Sequence, residues 1–209
     1  MSLYVEEKGG SSIPPLAEGS YPAVCIALVD MGEQFSTAFE KYTRKVAVGW
    51  EIVGETVTVD GETVPRTFYN TYTASLSSKG NLRKDLTAWR GRDFTAEELK
   101  KFDLRNILGA PCLVQVVHKK SADGTKTFAN LAAVMKMPKG LEKPTPQITP
   151  LAYDIDSSDP DLLENFPEWL ANRVRESRTF IAHQEEMKLA AEKPNDFKEI
   201  GEEDGELPF

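Results

Sequence analysis

Aromatic and cationic side chains interleave along two stretches of this chain, and that mixture suits a polyanion carrying flat rings. Phe35, Phe39, Tyr42 and Trp50 accompany Lys41, Arg44 and Lys45, while Phe68, Tyr69 and Tyr72 lie beside Arg66. A single nucleic-acid strand is bound without sequence preference by cations that follow its phosphates and rings on which its bases stack, each stacked base contributing ~1–3 kcal/mol. Lys79, Arg83, Lys84, Arg90 and Arg92 add a dense basic cluster, and Lys119, Lys120 and Lys126 flank a turn. Each group has a plainer alternative. A strand Tyr or Phe serves a core as readily as a binding face, and alternation does not say which face is inward. Trp50 fits either role, whereas Trp89 shares helical spacing with Leu82 and Leu86 and reads as core. The cluster at 83–92 also fits a solvated helix end, and lysine at a hairpin tip commonly protects an edge.

Catalytic constellations are scarce. The two histidines, His118 and His183, have no second ligand nearby at metal spacing. No glycine-rich loop followed by Lys-Ser or Lys-Thr is present, which argues against nucleotide hydrolysis. Asp154-Ile155-Asp156 has the composition of a divalent-ion pair, but it sits with Ser157, Ser158 and Asp159 in an acidic stretch that reads as disordered. Cys25 and Cys112 lie in apolar runs and read as buried thiols rather than a disulfide or ligands. Neither an enzymatic activity nor a cofactor is expected.

A different chemistry belongs to the end of the chain. Glu202, Glu203, Asp204 and Glu206 precede Leu207, Pro208 and Phe209. An acidic run with few apolar residues cannot bury enough surface to fold, so the segment is expected to be extended and mobile. Phe209 suits an apolar pocket while the adjacent carboxylate meets a basic residue of a partner, and Pro208 lowers the ordering cost. The plainer reading is a solubilising tail. The charge split agrees with a division of labour: residues 1–142 hold 18 Lys+Arg against 17 Asp+Glu, net +1, and residues 143–209 hold 7 against 16, net −9. The chain's acidity is thus a property of its last third, and the remainder is balanced enough to meet DNA. These residues resemble the C-terminal tip of bacterial single-stranded DNA-binding proteins, which implies recruitment of replication and repair enzymes.

The elements that must position these groups follow from periodicity. Residues 19–31 read as a first strand after a flexible lead-in at 9–15, residues 32–42 as a long loop, and residues 44–53 as a second strand. Asp60-Gly61 is a tight-hairpin signal between two β-rich runs, and a third strand covers 66–76. Helical spacing takes over at 81–89, and Thr95 with Glu98 forms a capping-box pattern opening a second short helix. Strands at 111–117 and 125–135 join through Asp123-Gly124. Three strands, a helical insertion and a last hairpin give a mainly β fold, a five-stranded OB-type barrel with its helix between strands three and four. The chain divides into a barrel domain at 1–142, a proline-rich acidic linker at 143–159 around Pro144, Pro146 and Pro150, a helical segment at 160–192 and an acidic tail at 193–209. The helical segment has one apolar face, which should pack on the barrel or on another subunit.

The middle of the chain carries a more extensive resemblance. Asn81-Leu82-Arg83-Lys84-Asp85-Leu86, then Trp89-Arg90-Gly91-Arg92, Phe94-Thr95, Phe102-Asp103-Leu104, Leu108-Gly109-Ala110-Pro111-Cys112 and Phe128-Ala129-Asn130 are similar to a family of phage-encoded single-stranded DNA-binding proteins. It covers roughly residues 65–140, with a counterpart to Phe166-Pro167-Glu168-Trp169. The resemblance implies an OB fold, a role in replication or recombination, single-stranded DNA as partner, and a bacterial host cytoplasm. No run approaches the ~20 apolar residues of a membrane span, and residues 1–7 have neither region of a signal peptide. Homo-oligomerisation is compatible with this reading. The polyanionic tail is further expected to compete weakly with DNA for the barrel's groove. Two alternatives stand beside coating of DNA: a protein-interaction adaptor built on the same barrel, and a strand-annealing recombination accessory.

Overall fold

Every residue from Ala23 to Val29 is buried, and a strand is buried throughout only if both its faces are covered. This run belongs to β1 (Gly19–Ser36) of the computed structural model, which describes residues 14–192 apart from Ala38 and Asp60. β1 lies at the centre of an antiparallel sheet with β2 (Lys41–Val59), β3 (Glu62–Thr73), β4 (Pro111–Lys120) and β5 (Thr127–Met135). The strands pair in the order β3-β2-β1-β4-β5 and curl into a half-barrel, giving a mainly β molecule with a few helices.

One face of the sheet is closed by α1 (Asn81–Arg90), whose Leu82, Leu86 and Trp89 meet Cys25, Val48, Trp50 and Val114. Each such aliphatic or aromatic side chain contributes roughly 1.5–3 kcal/mol by leaving water. Trp50 and Trp89 tilt against each other at 6.1 Å between centroids, and the Trp89 indole N–H donates to the Pro111 carbonyl at 2.9 Å. α1 stops at Gly91, which at φ 69° takes the left-handed conformation and returns its N–H to Thr87. The capping box opens α2 (Ala96–Lys100) as the sequence predicts, with Thr95 accepting from the Glu98 N–H.

The opposite face is closed by the C-terminal third. A short strand, β6 (Leu151–Tyr153), runs parallel to β1 at Ala27–Val29, taking over the edge that β4 leaves after Val24. A 3-10 turn (Pro160–Asn165), α3 (Glu168–Arg175) and α4 (Arg178–Glu192) follow, and Leu163, Phe166, Leu170 and Val174 pack on Val29, Met31 and Ala47. The apolar face expected of this segment therefore covers the sheet of its own chain. Gly32 permits a close approach of this layer: at φ 63° it sits where a Cβ would stand 2.6 Å from Ser177 Oγ.

Three expectations change. Residues 32–42 are not a loop but the continuation of a long β1–β2 hairpin, β1 running on to Ser36 and β2 beginning at Lys41. Their polar composition hides the pairing because the hairpin projects beyond the core, where neither face needs apolar residues. The proline-rich stretch 143–159 is no free linker, since it carries β6 and is held by Glu51, whose carboxylate is 1% exposed and accepts the N–H groups of Gln147 and Ile148. Asp154-Ile155-Asp156 is ordered with it, Ile155 being buried. The acidic tail, residues 193–209, and most of the lead-in lie outside the described residues.

Candidate nucleic-acid interface

The long hairpin carries its aromatic residues into solvent. At its tip Phe35, Phe39 and Tyr42 are 54%, 74% and 49% exposed. Phe35 and Tyr42 are direct cross-strand partners, 5.2 Å apart between ring centroids, so each limits the other's freedom. Glu40, at φ 49°, makes the left-handed turn that sets Phe39 outward beside Lys41, whose ammonium lies 5.8 Å from the Phe39 ring. The sequence reading misses one member of this group. Arg178, the first residue of α4, holds its guanidinium 5.5 Å from the Tyr42 ring centroid. The hydrogen bond from the Glu33 N–H to Thr179 Oγ1 fixes that approach, and no sequence periodicity could reveal a contact across more than a hundred residues.

Other candidates are committed elsewhere. Trp50 is 1% exposed and belongs to the core, so no ring face is open to a base. Tyr72 is buried with its hydroxyl donating to Asp85 Oδ2 at 2.8 Å; burial pushes the Tyr72 hydroxyl pKa upward and raises that of Asp85 as well. Arg66 is buried and donates to the Pro14 carbonyl at 2.8 Å. Phe68 is half-buried against the α1 side of the core. Tyr69 is half-buried on the opposite face, edge-on to Trp169 at 6.1 Å, and burial pushes its hydroxyl up to about 12. Arg44 is bound by Asp30 and Asp156, and the hydrogen bond it donates to the Asp30 carboxylate raises its pKa further. Lys45 donates to Thr73 Oγ1 at 2.8 Å. Arg83 makes a forked contact with Asp93 at 3.0 and 3.1 Å, while Lys79 and Lys84 are exposed. Arg90 and Arg92 both converge on Glu98.

A second exposed aromatic patch forms at the β4–β5 tip. Lys119 pairs across the hairpin with Phe128, which is 51% exposed, and Lys120 and Lys126 are exposed beside it. Phe128 borders a cleft of about 340 Å3 between this hairpin and the β2–β3 hairpin, lined also by Val57, Val64 and Phe68. Pairing of Gly19 with Val116 puts this patch at the start of β1, whereas the Phe35–Tyr42 pair lies at its end. The cationic and aromatic groups singled out from sequence thus separate into two surface patches, a set that is structural, and the exposed Lys79 and Lys84, which belong to neither. Among the described residues no helix is long and apolar enough to cross a membrane, and no His, Cys, Asp and Glu cluster suits a metal. Scanned against models of protein families the chain matches none, and a search of curated proteins likewise gives no match.

Proposed function

We propose that this protein binds single-stranded DNA largely without sequence preference, as a coating protein in phage-type replication or recombination. The observation that carries the reading is the β1–β2 tip: three aromatic rings held in water, with Lys41 and Arg178 against two of them. Exposed rings beside cations are what bases and phosphates require, and a fold gains nothing by holding three such rings outside its core. The Lys119–Phe128 patch offers a second point for the same strand. The strand order β3-β2-β1-β4-β5 and a helix between β3 and β4 support an OB-type barrel, and the resemblance of residues 65–140 to phage-encoded single-stranded DNA-binding proteins leads to the same assignment. In this reading Leu207, Pro208, Phe209 and the acidic residues before them recruit partner enzymes.

Anisotropy of labelled oligo-dT, titrated with the full chain over a range of salt, tests the proposal. Steeply salt-dependent binding that duplex DNA does not match is the expected result. Absence of binding at low salt would remove the coating role and leave the adaptor.

A further inference from the structure

A cleft of about 490 Å3 on the α1 side shares no lining residue with either exposed aromatic patch. It lies between the end of α1, the turn before β4 and residues 136–143 after β5, and it borders the Pro111–Val24 pairing, eleven residues along β1 from the Phe35–Tyr42 pair. Lys136, Lys139 and Lys143 are exposed at its rim beside Arg90, over a lining that includes Met137 and Leu141. Among the described residues none of the three lysines makes an ion pair, and Glu142 is the one carboxylate in the 136–143 stretch. Arg90 is held by Glu98 with its guanidinium 4.3 Å from the Phe94 ring, and its Nη1 is buried without an acceptor.

A cationic rim over an aliphatic lining selects between two anionic ligands. Trp89 is buried with its N–H on Pro111, so a base finds no open ring here. An acidic peptide with apolar side chains matches both rim and lining. This chain contains such a peptide in Glu202, Glu203, Asp204 and Glu206 followed by Leu207, Pro208 and Phe209. The 17 residues after Glu192 span at most roughly 55–60 Å when extended. A domain of this size is roughly 40 Å across, so the segment reaches the cleft of its own chain or of a neighbouring copy.

We infer that residues 202–209 dock in this cleft, their carboxylates on the rim lysines and Leu207 or Phe209 on the apolar lining. The acidic segment and DNA then use separate surfaces, in place of the competition expected from charge alone. The inference does not depend on DNA binding.

Zero-length carbodiimide coupling on the full chain, mapped by mass spectrometry, tests it by joining carboxylates to the amines they touch. Amides from residues 202–206 to Lys136, Lys139 or Lys143 should exceed those to Lys41, Lys45, Lys119, Lys120 and Lys126 by at least ~fivefold, and fall by a similar factor in Leu207→Ala/Phe209→Ala, because contact rather than diffuse attraction directs them. Coupling concentrated on the latter lysines, or spread evenly, overturns the proposal. A labelled, acetylated peptide of residues 200–209 added to Leu207→Ala/Phe209→Ala should lose ~tenfold affinity when Lys139→Glu/Lys143→Glu is introduced at these exposed positions. Unchanged peptide affinity also overturns it. Oligo-dT binding of the lysine variant is expected to equal that of the parent chain; a selective loss would place DNA in the cleft instead, whereas a parent chain that binds no DNA fails the coating proposal and leaves the coupling result intact.

Discussion

Glu51 Oε2 accepts the backbone N–H of Ile148 at 2.8 Å from inside the sheet, joining β2 to a segment nearly a hundred residues away. The Gln147 N–H is shared by both carboxylate oxygens at 2.9 and 3.0 Å. Charged acceptors make stronger hydrogen bonds than neutral ones, and a carboxylate with no solvent access depends on them. Glu51→Ala removes the acceptor and leaves two donors without it, so we expect a loss of about 2–4 kcal/mol in urea unfolding; Glu51→Gln, which keeps one carbonyl acceptor, should lose about 1–2 kcal/mol. An unchanged midpoint in Glu51→Ala would mean that the strap at 147–153 is held by its apolar contacts alone.

Acid sensitivity should trace to Glu98. Its carboxylate accepts from Arg92 and from the Thr95 N–H, and these hydrogen bonds, with Arg90, bring it down to about 2 from an ordinary value of 4.5. The folded state favours the ionised form, so the stabilisation is complete above pH 4.5 and disappears as pH falls toward 2. Asp93, beside Arg83, shifts in the same direction. Thermal unfolding should show the native chain more stable than Glu98→Gln at pH 7, with the two converging near pH 2. Parallel curves over that range would refute the assignment.

Much of this architecture is legible from periodicity, and the exceptions share a cause. The helices at 81–90 and 96–100 are visible because their apolar spacing and capping box are local. The β1–β2 extension escapes notice because its pairing is stabilised by backbone bonds and by one aromatic pair, which leave no alternation in the sequence. Trp50 and Tyr72 resemble platform residues only until the neighbouring α1 is in place to bury them. Glu51 shows the same limit in reverse: nothing local marks a buried carboxylate whose partners are the N–H groups of Gln147 and Ile148. What sequence order conveys well here is which residues are apolar; what it conveys poorly is which distant segment covers them.

Both thiols should be silent in the native state. Burial pushes Cys25 up to about 12 and Cys112 in the same direction, and among the described residues no cation acts on either to favour a thiolate. A disulfide reagent at pH 8 is expected to label neither until denaturant is added, with labelling tracking global unfolding. Rapid labelling under native conditions would show that β1 and β4 open locally at Cys112, the cross-strand partner of Ala23.

The hairpin tip offers the cleanest separation of binding from stability. Phe39 is the most exposed large apolar residue among the described residues, so Phe39→Ala should leave the urea midpoint within about 0.5 kcal/mol of the parent. If the ring stacks a base, the same change weakens oligo-dT binding by roughly 5- to 150-fold. Trp50→Ala is the converse control, costing about 3–5 kcal/mol of stability through the cavity it leaves beside Trp89. Cations divide by what already neutralises them. Arg44 is tied to two carboxylates, so Arg44→Ala should lower stability more than affinity, whereas Arg178 has, among the described residues, only Glu33 at 3.9 Å. Arg178→Ala should therefore reduce the slope of log affinity against log salt by about one, the signature of a single lost phosphate contact. An unaltered slope with lower affinity would instead mean that Arg178 acts only by holding Tyr42 in place, and the phosphate would have to be met by Lys41.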